Sequence, residues 1–197
     1  IKDHPILFPV VTIIIMEVFI SKMRKLKGIR KMILIEEAWK AIAREGMAEY
    51  IKYLFKTVRK FFGEAIVVTQ EVEDIISSPV VKQAIINNSD CKILLDQSKY
   101  QNKFDQIQEL LGLTEKEKAQ VLSINKANDP GKKYKEVFIS LGGMLSKVYR
   151  VEVSAEEYLA YTTEETEKFK VMQLAEQFNG NIEKAITHYL NNKNQVL

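Results

Sequence analysis

The sequence contains little that could cross-link the chain or hold a metal. Its single cysteine, Cys91, excludes an intramolecular disulfide framework and fits a reducing compartment. Its two histidines, His4 and His188, are far apart and have no cysteine or acidic residue at ligand spacing, so no metal cluster is indicated. Only 8 glycines and 4 prolines occur in 197 residues, 46% of which are hydrophobic, and this composition is typical of an ordinary folded protein.

A strong charge of one sign and long hydrophobic runs are also missing. The net charge of +3 is too small to indicate a nucleic-acid partner by itself. The most apolar stretch, residues 6–20, is interrupted by Pro9 and Glu17 and is shorter than the roughly 20 residues that a membrane-spanning helix needs. We therefore expect a buried core helix. Its expected apolar face consists of Val11, Ile14, Ile15, Val18 and Phe19.

Residues 32–39 combine a short apolar run with two adjacent carboxylates. The run ends at Ile35 and is followed by Glu36 and Glu37, and the only tryptophan is Trp39. An apolar run bounded by charge predicts a buried parallel strand, and carboxylates at its carboxyl end lie where open α/β sheets bind ligands. On these residues alone, two solvated glutamates at the start of a helix remain an equally good interpretation.

A second strand with a polar end follows. Apolar residues recur at helical spacing over 47–62, and Gly63 is expected to end that helix. The opposite face of the helix carries Lys52, Lys56 and Arg59. Residues 65–70 then predict a second buried strand that ends in Gln70. Two apolar strands joined by an amphipathic helix predict a parallel crossover unit, and the repeated polar strand end indicates a nucleotide site.

The rest of the chain alternates between predicted helices and strands. Helices are expected from Ser78-Pro79, at about 103–111 and 114–123 as a surface insertion or lid, from Ser154, and at 164–178 and 182–190. Strands are expected at 92–95, 136–141 and 147–153, the last two forming a β-hairpin around Gly142 and Gly143.

These motifs resemble the C-terminal part of the large ATPases of type IV secretion and conjugation machines, and in particular the TraG-type ATPase of conjugative transposons. The resemblance is carried by Ile35–Trp39, by Val67–Gln70 after a basic helix, and by the hairpin that leads into Arg150–Val153. It implies an α/β fold: a partial RecA-like P-loop NTPase core, with a mostly parallel sheet flanked by helices and a C-terminal β-hairpin. The implied division is an ATPase portion at 1–163, with the helical insertion at about 99–124, and a helical tail at 164–197.

The resemblance also implies roles for individual residues. Glu36 matches the acid that holds Mg²⁺ through its water shell, although the family usually has Asp there, and Glu37 matches the general base for the attacking water. Gln70 matches the sensor that contacts the γ-phosphate or that water. Arg59 is the candidate arginine finger for a neighbouring subunit's site, the alternative being a solvated basic face. Arg150 is a weaker candidate, because a strand arginine often pairs with a surface acid.

The resemblance implies that the chain works within a larger assembly and not as a single enzyme. The resemblance implies ATP and Mg²⁺ as ligands, a homo-hexamer, contacts with other type IV secretion components, and a cytoplasmic position at the inner face of the bacterial inner membrane. Two alternatives stay open. In one, the chain belongs to a coupling-type motor that moves DNA, with the basic segment 22–31 as the DNA contact. In the other, it is a non-catalytic docking module that recruits a partner through residues 164–190.

No phosphate-binding loop of the form Gly-x-x-x-x-Gly-Lys-Ser/Thr occurs in the sequence. The sequence also begins at Ile1 without a methionine, so we expect a piece of a longer protein whose phosphate loop lies upstream. In the resembling sheets the strand before that loop lies between the strand of Gln70 and the strand near Ile93. The absence of that strand predicts a gap or a rearrangement in the sheet.

Overall fold

The computed structural model describes residue 4 and residues 6–36, 45–69, 85–126 and 134–194, which form an α/β structure. The α-helices within these ranges are α1 (Leu7–Lys25), α2 (Glu45–Thr57), α3 (Phe104–Leu111), α4 (Glu115–Ser123), α5 (Ala155–Tyr161), α6 (Glu165–Gln177) and α7 (Ile182–Asn194). The strands are β1 (Lys31–Glu36), β2 (Gly63–Val68), β3 (Cys91–Leu94), β4 (Tyr134–Leu141) and β5 (Leu145–Glu152). Short 3-10 helices occur at Val58–Phe61 and Ser98–Lys103, and residues 85–88 are helical.

The described strands form two separate sheets. β1 and β2 pair in parallel, with Lys31 opposite Gly63 and Glu36 opposite Val68, so the predicted strand–helix–strand unit is confirmed. The other sheet has the order β3-β4-β5 and is antiparallel throughout. The predicted third strand exists, but it pairs with β4 and shares no ladder with β2. Among the described strands, the strand before Gln70 and the strand of Ile93 therefore lie in different sheets, and the predicted gap or rearrangement between them stays a prediction.

The first core lies between α1, α2 and one face of the β1–β2 sheet. Its buried members are Met16, Ile20, Met23, Ile51, Leu54, Phe55, Val58 and Ile85. The predicted apolar face of α1 is partly wrong, because Ile14, Ile15 and Val18 are 56%, 57% and 49% exposed. The residues that α1 does bury, at positions 16, 20 and 23, are spaced four and three apart and so form one helical stripe.

The β1–β2 sheet is covered on one face within the described residues. Ile33 and Ile35 pack against the first core, whereas Met32 and Leu34 on the opposite face are 61% and 60% exposed. The prediction of a fully buried strand is therefore wrong for β1. Because successive side chains of a strand point to opposite faces, one covering layer buries every second residue.

The turn into β2 differs from the sequence prediction. The sequence predicts that Gly63 ends the helix, but the residue that ends it is Phe62, which is left-handed with φ of 58°. The Phe62 N–H donates to the carbonyl of Arg59 and so ends the 3-10 helix. Gly63 is required for a different reason, since a Cβ there would lie 2.7 Å from Cγ2 of Val58. The sequence analysis therefore identified Gly63 as an important position but assigned it the wrong role.

The second core joins α3 and α4 to the antiparallel sheet. Its buried members are Phe104, Ile107, Leu113, Val121, Ile124 and Phe138. The hairpin is confirmed, with Gly142 and Gly143 at φ of 55° and 70° in its turn. The predicted capping boxes at Thr114 and Ser154 are both present.

A third core holds the C-terminal helices together. Leu159 of α5 packs with Val171 and Ala175 of α6 and with Ala185 and Ile186 of α7. The predicted helical pair with a break at 179–181 is confirmed. The proposed division at 163/164 stays a prediction, and the helix before it packs with the two helices after it. In the ranges listed above, no helix is both long and apolar enough to span a membrane.

Glu117 is a buried carboxylate that ties α4 to β4. One oxygen accepts hydrogen bonds from the Thr114 backbone N–H at 2.9 Å and the Thr114 hydroxyl at 3.0 Å. The other accepts from the Ser140 hydroxyl at 2.9 Å. Burial alone would raise the pKa of Glu117, but these hydrogen bonds outweigh it and hold the pKa below its usual value.

We expect Glu117→Gln to lower the free energy of unfolding by about 1–2 kcal/mol, because the neutral amide weakens charge-assisted hydrogen bonds to a buried group. The wild-type contribution is present above the unfolded-state pKa and is lost as the pH falls through the lower folded-state pKa. Urea unfolding between pH 7 and pH 3 measures both effects. The exposed exchange Glu109→Gln is the control, and equal stability of the two variants at pH 7 would contradict the assignment.

Candidate functional site

The carboxyl ends of β1 and β2 lie at one edge of the parallel sheet. Glu36 is the last residue of β1, it is exposed, and its register partner is Val68, the last residue of β2. The two strands therefore end level with each other. The predicted site residues Glu37 and Gln70 come one and two residues later and lie outside the described residues, so their side-chain positions are not part of the structure.

Glu36 can contribute one ligand to a hard cation. Carboxylate oxygens suit Mg²⁺, which keeps several of its waters and is often held by one or two protein carboxylates together with substrate phosphates. Within the described ranges, no group of three or more His, Cys, Asp or Glu residues could hold a metal by itself. An exposed carboxylate at a strand end therefore fits an outer position in a site that other groups must complete.

Arg59 lies at the other end of the same sheet. It is in the 3-10 helix before β2, and the carbonyl of Phe62 accepts a hydrogen bond from the N–H of Lys31, the first residue of β1. The six residues of β1 separate this end from Glu36 by roughly 17 Å at the usual rise per strand residue. The structure therefore does not bring Arg59 to its own Glu36.

The Arg59 side chain is exposed and pairs with Asp90 in the part of the chain that the structure describes. Its guanidinium Nη1 lies 3.2 Å from Oδ2 of Asp90, the residue before β3, and the two side chains are 66% and 75% exposed. The Asp90 carbonyl in turn accepts a hydrogen bond from the N–H of Gly142 in the hairpin turn. The pair thus links the end of the first sheet to the antiparallel sheet. Exposed ion pairs of this kind contribute little to stability, so the guanidinium can leave Asp90 at small cost.

Several other basic side chains singled out in the sequence make hydrogen bonds or ion pairs within the chain. Lys52 is half-buried and pairs with Glu49 at 3.2 Å, whereas Lys56 is exposed. In the segment 22–31, Arg24 donates to the Tyr53 hydroxyl at 2.7 Å and Arg30 pairs with Glu64 at 2.6 Å. Both guanidinium groups therefore have hydrogen-bond partners within the chain, without a nucleic acid.

Arg150 pairs with an acidic residue of the neighbouring strand, which was the alternative to a role as arginine finger. Its Nε lies 3.4 Å from Oε1 of Glu136, and its guanidinium stacks 4.4 Å from the centre of the Tyr134 ring. Glu136 also accepts a hydrogen bond from the backbone N–H of Asn125 at 2.8 Å. These contacts hold the hairpin to the end of α4.

Two residues of this region were missed by sequence reasoning. Asp90 carries no motif, and only the strand that follows it could have marked the position. Phe62 was treated as one more apolar residue of the helix, and only the Phe-Gly pair at the helix end could have indicated an unusual turn. The ion pair between Arg59 and Asp90 and the hydrogen bond between Lys31 and Phe62 each join segments that are distant in sequence.

The parallel unit carries an exposed carboxylate at the carboxyl edge of its sheet, the edge at which open α/β sheets bind ligands. The chain belongs to the TraG P-loop domain family, which it matches over residues 1–193. Among solved structures it is similar to VirB4 of Thermoanaerobacter pseudethanolicus, with a TM-score of 0.52 and 19% sequence identity. That match covers 73% of this chain and 36% of VirB4, so this chain spans about a third of the solved chain and shares its fold. No curated protein matches the sequence.

Proposed function

We propose that this chain is part of an ATP-hydrolysing motor of a type IV secretion or conjugation system, in which it supplies the acidic edge and the sensor of the nucleotide site. The observation that carries the proposal is the parallel β1–β2 pair, whose strands end level at Glu36 and Val68. Residues that leave two adjacent parallel strands at one edge can face a common ligand in the crevice beyond the sheet.

Each residue has a separate task in this proposal. Glu37 removes a proton from the attacking water, and Gln70 orients that water against the γ-phosphate. Arg59 approaches the site of a neighbouring copy, where its guanidinium stabilises the negative charge that develops on the phosphate oxygens. The positions of Glu36 and Arg59 at opposite ends of β1 support a finger that acts in trans rather than within one chain.

The metal has one assigned ligand in this chain. Glu36 would hold Mg²⁺ through its water shell, and the ion would neutralise charge on the β- and γ-phosphates. The sequence contains no Gly-x-x-x-x-Gly-Lys-Ser/Thr motif for those phosphates, and we propose that a part of the longer protein outside these 197 residues supplies the phosphate loop.

The hydrolysis would power the transfer of DNA or protein, or the assembly of a pilus. We propose a ring of identical subunits, since a finger in trans requires that every site borders a second copy. Other components of the secretion machine and a peripheral position at the inner membrane complete the proposed setting.

The 197-residue chain and the complete protein should differ sharply in their nucleotide chemistry. We expect the complete protein to bind ATP and hydrolyse it, and the isolated chain to show neither tight binding nor turnover, because the phosphate loop is absent from it. Isothermal titration with ATP and Mg²⁺, together with a phosphate-release assay, measures both quantities. Turnover by the isolated chain at the rate of the complete protein would contradict the proposal.

A further inference from the structure

Strand β5 has one free edge in the part of the chain that the structure describes. The antiparallel sheet has the order β3-β4-β5, so β5 pairs with β4 on one side and has no described strand on the other. A free strand edge presents a row of backbone N–H and C=O groups that can pair with another strand. Such an edge is a binding surface unless the sequence protects it.

The two faces of β5 differ in what they contact. Val148 packs against the second core, and the Ser146 hydroxyl donates to Oε1 of Gln120 in α4 at 3.3 Å. The even-numbered residues of β5 therefore point towards the helices, and the odd-numbered residues point to the opposite face. Three large residues of that opposite face are 43%, 41% and 50% exposed, and they are Leu145, Tyr149 and Val151.

The sequence of β5 has few of the features that keep edge strands apart. The strand is eight residues long and contains no proline. Its ladder with β4 is continuous from the pair of Tyr134 and Glu152 to the pair of Leu141 and Leu145, without a bulge. The face with the exposed apolar residues carries one charge, that of Lys147. The edge is therefore long, regular and largely unprotected.

A second copy of β5 fits this edge in an antiparallel arrangement. A two-fold axis perpendicular to the sheet keeps the same face of both copies on one side, so odd-numbered residues lie opposite odd-numbered residues. With Tyr149 on the axis, opposite its counterpart, Leu145 lies opposite Val153 and Lys147 lies opposite Val151. Val153, which follows the strand, is 42% exposed. Each exposed apolar residue then meets an apolar side chain or the hydrocarbon stem of a lysine.

The other face of the paired strands contains no like charges opposite each other in this register. The pairs on that face are Ser146 with Glu152 and Val148 with Arg150. A shift by two residues in one direction would place Arg150 opposite its own counterpart, which is destabilising. The same shift in the other direction would place Val153 opposite Gly143 of the hairpin turn. The register centred on Tyr149 is therefore the one that the sequence favours.

We propose that β5 is a self-association edge through which two copies join their antiparallel sheets about a two-fold axis at Tyr149. The contact is isologous, because both copies use the same strand. It goes beyond the proposed function, since it uses neither the β1–β2 pair nor a nucleotide. Backbone hydrogen bonds supply the pairing, and the exposed apolar residues set its register.

Cysteine cross-linking in the complete protein tests the register. Directly opposite residues of an antiparallel pair have Cβ atoms about 4.5–5.5 Å apart, so Tyr149→Cys should form a covalent dimer under mild oxidation. Leu145→Cys and Val153→Cys should each form none alone and should cross-link when the two variants are mixed. The wild type gives the background from Cys91, and Tyr161→Cys is the matched control because Tyr161 is 75% exposed on α5.

Charge variants test whether the contact forms without a cross-link. Tyr149→Lys and Tyr149→Glu each place like charges opposite each other on the axis, so self-association measured by sedimentation velocity should weaken about fivefold or more. An equal mixture of the two variants should recover association, because the charges across the axis are then opposite. Tyr161→Lys should associate as the wild type does. The melting temperature of each dilute variant checks that it is folded.

Two results would overturn the inference. One is a yield of covalent dimer from Tyr149→Cys that does not exceed the yields of wild type and Tyr161→Cys, as expected if another segment of the longer protein occupies the edge. The other is failure of the mixed charge variants to recover association when both are folded. Neither measurement contains ATP, so a protein that pairs through β5 without turnover would contradict only the proposed function.

Discussion

Replacing Glu37 by glutamine in the complete protein is expected to leave ATP binding intact and to lower turnover by about 10²–10⁴-fold, the usual contribution of a general base. Glutamine keeps the size and polarity of the side chain and loses its ability to accept the proton of the attacking water. ATP affinity from titration and the steady-state rate of phosphate release separate the two effects.

The matched control for this variant is Glu152→Gln, an equivalent exchange at the exposed end of β5. We expect the control to keep both affinity and rate. Unchanged hydrolysis in Glu37→Gln would favour the docking-module alternative, in which the acidic pair only begins a helix. A loss of ATP binding that matches the loss of rate would indicate a structural role for Glu37.

Removing the guanidinium by Arg59→Ala is expected to lower turnover by about 10³–10⁵-fold, the range found for arginine fingers. ATP affinity should change little, since Arg59 lies at the opposite end of β1 from Glu36. The melting temperature should also change little, because the ion pair with Asp90 is exposed. The measurements are the same titration and rate assay, with a thermal unfolding curve.

A mixing experiment distinguishes a finger in trans from a local effect. Arg59→Ala subunits keep their own Glu37, and Glu37→Gln subunits keep Arg59. If the finger acts across a boundary, a mixture of the two inactive variants should recover a measurable fraction of the wild-type rate. Lys56→Ala, an exposed exchange on the same helix face, should keep full activity. No recovery in mixed assemblies would contradict the assignment of Arg59.

The strand–helix–strand unit was predictable because its signals are local. Residues 32–35 and 65–68 are short apolar runs, and the helix between them has a clear period, so pairing and direction followed. The capping boxes and the hairpin turn are equally local, since each depends on a few residues at fixed spacing.

The errors arose where the outcome depends on which segments meet. The α1 sequence is apolar nearly all round, so its composition did not determine which stripe would face α2. Gly63 is a normal signal for the end of a helix, and its close approach to Val58 is visible only in three dimensions. The partners of Arg59 and Arg150 lie 31 and 14 residues away, and no periodic pattern connects them.

For the candidate site, the sequence could predict only the pattern of polar residues that follow two parallel strands. Sequence placed Glu36 at the end of a parallel strand, and the structure confirms that position. The roles of Glu37, Gln70 and Arg59 remain predictions, because they depend on a phosphate loop and a neighbouring copy that this chain does not contain.

The most direct measurement is an experimental structure of the complete protein with Mg²⁺ and a non-hydrolysable ATP analogue. The account predicts that the Glu37 carboxylate and the Gln70 amide leave the β1–β2 edge together and both face the γ-phosphate. Side chains that point to opposite edges of the sheet, or that are buried among hydrocarbon, would contradict it.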